Sequence, residues 1–190
     1  MSHMKRSAVI DGDFRYLLHR SWTVGRGIGE GGSPWPRLCW VMLNPSTADA
    51  TTDDPTVRKC IGFAKRWGYH AIDIVNLFAL RATDPRSLLV GDWREHIGAE
   101  NDEHISKAIR GASTVVAAWG AWGERFRERT AEVRDLVDKV VRRRSEFVPY
   151  IPPPALLTLG TTSSGEPRHP LMLSYATPTC AWLPTTARAV

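Results

Sequence analysis

Residues 38–46, Leu38-Cys-Trp-Val-Met-Leu43-Asn44-Pro45-Ser46, decide the fold more than any other stretch of the chain. Six apolar side chains in a row are typical of a strand that is buried on both faces, since a half-exposed strand would alternate. Asn44 and Pro45 then predict that the chain leaves the sheet, because Asn favours turns and Pro cannot donate to a strand ladder. Three more apolar runs predict further strands, at 71–77, 114–119 and 156–159.

Helical patterns lie between these strands. Asp54-Pro55 has the form of an N-cap followed by an N1 proline, and apolar side chains recur on one face through residue 67. Two more helices are predicted, at 92–109 and 126–141. Strands that alternate with helices favour a parallel sheet with right-handed crossovers. We therefore predict the α/β class, with three α/β/α layers and a central parallel sheet of about four strands.

Length and composition predict a single domain over residues 1–190. Residues 1–4 look like the remnant of an expression tag, and residues 177–190 show no periodicity, so a tail without regular structure is expected. No apolar run reaches the ~18–20 residues that cross a membrane. Three cysteines without a CxxC pair suggest reduced thiols and a cytoplasmic location. The net charge of +5 suits a polyanionic partner.

The predicted fold also locates a ligand site. In open parallel sheets, ligands bind beyond the carboxyl ends of the strands, where the strand order reverses. The loops that begin at Asn44, Leu77, Gly120 and Gly160 should therefore surround the site. These residues alone do not identify the ligand.

Four short motifs follow the predicted strands in order and resemble the mismatch-specific branch of the uracil-DNA glycosylase superfamily. They are Leu43-Asn44-Pro45-Ser46, Val75-Asn76-Leu77-Phe78 with Arg81-Ala82-Thr83, Ala118-Trp119-Gly120, and His169-Pro170-Leu171-Met172-Leu173. The stretches LNPSTAD, DDPT and RHPL also resemble a bacterial family catalogued as a domain of unknown function. The chain departs from the superfamily in lacking an Asp-Pro-Tyr motif, a serine after His169-Pro170, and four clustered cysteines for an iron–sulfur cluster.

The resemblance implies a uracil-DNA glycosylase-like fold and a DNA glycosylase-like hydrolase. Such an enzyme would cleave the N-glycosidic bond of a modified or mismatched base by a water-mediated reaction. The expected partners are DNA and a nucleobase or nucleotide ligand, with no cofactor, no metal and no membrane. Two alternatives stay open: a nucleoside or nucleotide N-glycosidase or transferase, and a non-catalytic domain that binds a base or nucleic acid.

The same resemblance implies the site residues. We expect Asn44 to hold the attacking water and His169 to donate to the departing base. If Asn44 is not enough, the replacement water activators are Asp49, Asp53 and Asp54, of which Asp49 is preferred. The expected substrate-binding residues are Pro45, Ser46, Asn76, Gly120, Arg81, Arg168, Leu171 and Met172. Each has a purely structural alternative, such as loop hydrogen bonding for Asn44 or N-capping for the nearby Asp54.

Overall fold

The computed structural model describes residues 4–22, 36–147 and 152–183. Seven strands and three α-helices follow one another in the order β1 (Lys5–Asp11), β2 (Phe14–Ser21), β3 (Arg37–Met42), α1 (Pro55–Arg66), β4 (Ala71–Asn76), α2 (Asn101–Arg110), β5 (Thr114–Ala117), α3 (Arg127–Phe147), β6 (Ala155–Thr158) and β7 (Cys180–Ala181). Short 3₁₀ turns lie at Pro85–Leu89, Trp93–His96 and Ala121–Phe126.

The strands form one mixed sheet in the order β1-β2-β4-β3-β5-β6-β7. Strand β3 pairs in parallel with β4 and β5, and β5 pairs in parallel with β6. The β1–β2 hairpin joins β4 antiparallel, and β7 joins β6 antiparallel. The predicted α/β class is confirmed, but the sheet is not the all-parallel sheet of about four strands that we expected. Within the described residues it has seven strands and mixed pairing.

Each face of the sheet carries its own core. Along β3, Cys39 and Val41 belong to the core beneath α2 and α3, whereas Leu38, Trp40 and Met42 belong to the core beneath α1. The apolar run is therefore buried on both faces, as predicted. Helix α1 begins where the sequence indicated, because Asp54 Oδ1 accepts a hydrogen bond from the Val57 amide at 2.8 Å.

The predicted helix over 92–109 is interrupted. Its first part is the 3₁₀ turn Trp93–His96, and the α-helix starts only at Asn101. Between them, Gly98 has a φ of +83°, and a Cβ there would lie 2.8 Å from the Tyr16 ring. The predicted helix is thus interrupted at a glycine in the left-handed region, which packs closely against Tyr16.

The tail is more ordered than expected. Cys180 and Ala181 pair with Thr158 and Leu157, and the next residue, Trp182, is buried against Trp119. Residues 184–190, and residues 1–3 of the suspected tag, lie outside the described part. All three cysteines are free thiols. Within the described residues, no helix is both long enough and apolar enough to cross a bilayer.

Candidate functional site

A cavity of about 470 Å³ lies at the carboxyl ends of β3, β4 and β5. Strand β3 lies between β4 and β5. The chain therefore moves to one side of β3 for β4 and to the other side for β5, so the strand order reverses at β3. Such a reversal leaves a crevice in which open α/β sheets bind ligands. The volume is within the usual range for small-molecule sites. The cavity therefore occupies the place that the sequence pattern indicated.

Six of the predicted site residues line this cavity: Asn44, Ser46, Asn76, Gly120, His169 and Leu171. Five others do not line it: Pro45, Asp49, Arg81, Arg168 and Met172. Of these, Pro45 is buried behind the loop, whereas Arg168 and Met172 are exposed. The Arg81 amide donates to Asp13 O at 2.9 Å, and the Arg81 side chain is partly buried.

Asn44 ties the two loops of the cavity together. Its Nδ2 donates to the Ala82 carbonyl at 2.7 Å and to the Pro45 carbonyl at 3.0 Å. The Ala82 amide returns a bond to the Pro45 carbonyl at 2.8 Å. Asn44 therefore has the loop-bonding role that the sequence left open as its structural alternative. This role uses the hydrogens of its side-chain amide. Only Oδ1 of this side chain is left for a ligand or a water molecule.

Asn76 is the last residue of β4 and is 1% exposed. Its Nδ2 is buried and has no hydrogen-bond partner among the described residues. Its main-chain carbonyl accepts a bond from Asn101 Nδ2 at 3.0 Å, which fixes the backbone. A buried amide donor without a partner costs about 1–3 kcal/mol. A ligand with an acceptor atom would remove that cost, since Asn76 lines the cavity.

His169 packs directly on Gly120. That glycine has a φ of +79° and a ψ of −175°, a conformation nearly restricted to glycine, and a Cβ there would lie 3.1 Å from His169 Cβ. The Leu171 amide donates to His169 Nδ1 at 3.3 Å, so the neutral ring carries its proton on Nε2. Burial lowers the pKa of His169 below 6.5, and Asp54 partly opposes that shift. At neutral pH the ring is therefore a neutral Nε2–H donor.

A buried polar network holds the His169 loop. Glu166 accepts from Trp119 Nε1 at 2.6 Å and from Arg134 Nη2 at 3.3 Å. The Arg134 guanidinium also lies over the rings of Trp119 and Trp182. The Gly120 amide donates to the Pro167 carbonyl at 2.8 Å. The His169 loop is thus held both by the Trp119 side chain, through Glu166, and by the main chain of the next residue, Gly120. Trp119 also lines the cavity.

Of the two aspartates at this loop, Asp54 and not Asp49 lines the cavity. Asp49 Oδ1 accepts from the Thr51 amide, the Thr51 hydroxyl and the Thr52 amide, and these bonds lower its pKa to about 2. Asp49 therefore stabilises a turn away from the cavity. Asp54 caps α1 as expected, but it also lines the cavity and is 8% exposed. It is the cavity's own carboxylate.

Arg15 is a site residue that the sequence reading missed. It lies on β2, is 3% exposed and lines the cavity. A single arginine in a strand with loose alternation gives no signal, because the position depends on how the β1–β2 hairpin joins β4. Trp119 and Trp122 also line the cavity and add flat apolar surface to it. No group of three potential metal ligands occurs within residues 4–22, 36–147 and 152–183.

Comparison with known proteins gives one finding. A family model described as protein of unknown function (DUF1643) matches residues 15–171. No curated protein and no solved structure matches the chain significantly. The matched stretch holds every residue described above as lining the cavity, from Arg15 to Leu171. Because this match spans most of the sequence, the chain belongs to the DUF1643 family.

Proposed function

We propose that the chain hydrolyses the N-glycosidic bond of a modified or mismatched nucleobase held in DNA. The observation that carries the proposal is the unpartnered Nδ2 of Asn76, buried in a cavity that also holds His169 and the ring of Trp119. Flat apolar surface beside a few convergent polar groups suits a planar heterocycle. The four motifs that resemble the uracil-DNA glycosylase superfamily support the same ligand class.

Two donors would bind the departing base. Asn76 Nδ2 would donate to a carbonyl on the edge of the base. His169 Nε2–H would donate to the base as negative charge develops on it, in the manner of an oxyanion-hole donor. A Trp122 ring at the cavity wall would stack on the base face. Neither Asn76 Nδ2 nor His169 Nε2 has a hydrogen-bond partner among the described residues.

Hydrogen-bond acceptors on the cavity wall would orient the attacking water and accept its proton. We assign Asp54 as the general base, with Asn44 Oδ1 as a second acceptor that orients the water. The water oxygen bonds to C1′ while the C1′–N bond breaks, and the bond's electron pair leaves with the base. The proton from the water goes to the Asp54 carboxylate and is then available to the released base. Water is thus added across the bond, and no lysine is needed.

The rim of the cavity suits a polymer better than a free nucleoside. Leu171 lines the rim at 38% exposure, and the adjacent Met172 is 89% exposed. Apolar side chains that project beside a base pocket can fill the stack that a flipped base vacates. The formal charge of +5 favours a polyanion. Exposed Arg168 stands three residues before Leu171 and could contact a phosphate.

The experiment presents a panel of modified and mismatched bases in three forms: free nucleoside, single-stranded DNA and duplex DNA. Released bases are measured by mass spectrometry. We expect release from DNA, with Met172→Ser slowing release from duplex much more than from single strands. Val90→Ser is the matched control, since Val90 is also exposed (71%) but does not line the cavity. Release from free nucleosides alone, or no release at all, would contradict the proposal.

A further inference from the structure

Three arginine side chains are almost completely buried in the described structure: Arg15, Arg20 and Arg129. Arg20 is fully used, because its Nε pairs with Asp53 at 2.7 Å and its other nitrogens donate to four main-chain carbonyls. Arg129 is also fully used, with a bond to the Leu77 carbonyl and ion pairs to Asp102 and Glu132. These two show how the fold satisfies a buried guanidinium.

Arg15 is the exception, and it is the one that lines the cavity. Its side chain makes one hydrogen bond, from Nη1 to the Ala48 carbonyl at 2.7 Å. Its Nε is buried without a partner, and no described residue accepts a hydrogen bond from Nη2. Among the described residues Arg15 forms no ion pair, although Asp54 acts on it electrostatically. A buried cation left in this state is costly unless something else pairs with it.

The edge of the Arg15 guanidinium formed by Nε and Nη2 has no partner among the described residues, and its geometry indicates which ligands it can bind. Nε and Nη2 point in parallel from one side of a guanidinium, and this pair matches two oxygens of a phosphate or carboxylate. The Ala48 carbonyl holds the opposite side of the group in place. The edge is therefore oriented before any ligand arrives.

The charges around Arg15 leave room for an anion. The pKa of Arg15 is lowered to about 10, because desolvation by burial and, to a smaller extent, Arg81 and Arg20 outweigh the opposing effects of Asp54 and Asp49. Asp49 is already engaged by Thr51 and Thr52. The first turn of α1, Pro55–Val57, lines the same cavity, so the positive end of its dipole adds to the field.

We propose that Arg15 binds a phosphate group of the ligand inside this cavity, with two phosphate oxygens on Nε and Nη2. The binding of an oxyanion follows from the arginine alone. Its assignment as a phosphate rests on the proposed function, since nucleotides carry phosphates. Two sources share this chemistry: the terminal phosphate of a free nucleotide and a phosphodiester of DNA. The ligand is then a nucleotide unit, read at its base by Asn76 and at its phosphate by Arg15.

The first test uses inorganic phosphate alone, titrated calorimetrically at constant ionic strength. We expect saturable binding to the wild type and at least ~10-fold weaker binding to Arg15→Met, the loss of about one charge-assisted hydrogen bond. Arg110→Met is the matched control, since Arg110 is exposed on α2, and it should bind as the wild type does. Absence of binding to the wild type, or equal binding by Arg15→Met, would overturn the proposal.

A second variant guards against a folding defect. Arg15→Met should fold, because it leaves no carboxylate without an ion-pair partner. Arg15→Lys keeps the positive charge but lacks the pair of parallel N–H donors. We expect Arg15→Lys to bind phosphate several-fold more weakly than the wild type. If Arg15→Met does not fold, equal binding by Arg15→Lys and the wild type overturns the proposal.

The last arm separates the two sources and separates this proposal from the glycosylase. Binding of 2′-deoxyuridine, its 5′-monophosphate and the methyl ester of that monophosphate is compared. A phosphate-dependent gain that Arg15→Met loses supports the proposal. A gain confined to the monophosphate indicates a free nucleotide, and an equal gain for the ester indicates DNA. No gain for either overturns it. Phosphate binding without base release would leave this inference standing while the proposed activity fails.

Discussion

At the scale of a single residue, Asp54 is both the N-cap of α1 and the proposed general base, and one substitution separates the two roles. Asn is as good an N-cap as Asp, so Asp54→Asn should keep the bond to the Val57 amide and the stability of α1. It removes the carboxylate that we propose as the acceptor of the proton from water. We expect the rate of base release to fall ~10²–10⁴-fold with an unchanged circular dichroism spectrum and melting temperature.

The control for that substitution is Asp92→Asn. Asp92 also caps a helical turn, accepting from the Arg94 amide at 3.0 Å, but it does not line the cavity. We expect its rate to match the wild type. Native turnover by Asp54→Asn would show that capping is the residue's whole role.

His169 predicts a pH dependence of stability. Its pKa in the folded chain lies below the value of 6.5 expected when unfolded, so the unfolded state takes up the proton first as pH falls. The contribution of neutral His169 to the free energy of unfolding is therefore complete above about pH 6.5. It is lost as the pH falls from there through the lower pKa that His169 has in the folded chain. Urea unfolding at pH 7.5 and pH 5.5 should show a larger loss of unfolding free energy for the wild type than for His169→Gln. Identical losses would contradict the desolvated position of the ring.

At the scale of elements, the turn after β5 depends on Gly120. In Gly120→Ala the side chain would meet both a glycine-only backbone conformation and His169 Cβ at 3.1 Å. We expect a loss of roughly 1–3 kcal/mol of unfolding free energy, together with reduced base release as the His169 loop shifts. Gly68→Ala is the matched control, since Gly68 has the same φ of +79° but open space around it. It should lose stability only, and equal loss of release by both variants would contradict the contact.

Elements with strong local signals could be predicted from the sequence. The apolar run of β3 and the Asp54-Pro55 start of α1 needed no tertiary information. Strand β1 was missed because it is exposed on both faces at a sheet edge, so it shows no alternation. At Gly98 the close approach of the Tyr16 ring, which leaves no room for a Cβ, could not be predicted because Tyr16 is distant in sequence.

At the scale of the whole molecule, the cavity's location could be predicted but not its full content. Asn44, Gly120 and His169 follow strands or carry recognisable motifs, and the parallel pairing brings them to one end of the sheet. Arg15 reaches the cavity only because the β1–β2 hairpin joins the edge of β4. Asp54 was considered as a water activator, but its cap before Pro55 already explained it, and Asp49 was preferred because the sequence does not show which carboxylate lies at the cavity.

The most direct test of the proposed hydrolysis is to identify which bond of the substrate is broken. The wild-type chain is incubated with oligonucleotides that each carry one modified or mismatched base, and the intact mass of every product strand is measured. We predict a free base and a full-length strand whose mass has changed by loss of that base and gain of water. Strands left intact across the panel, or strands cut at a phosphodiester with the base retained, would contradict N-glycosidic hydrolysis.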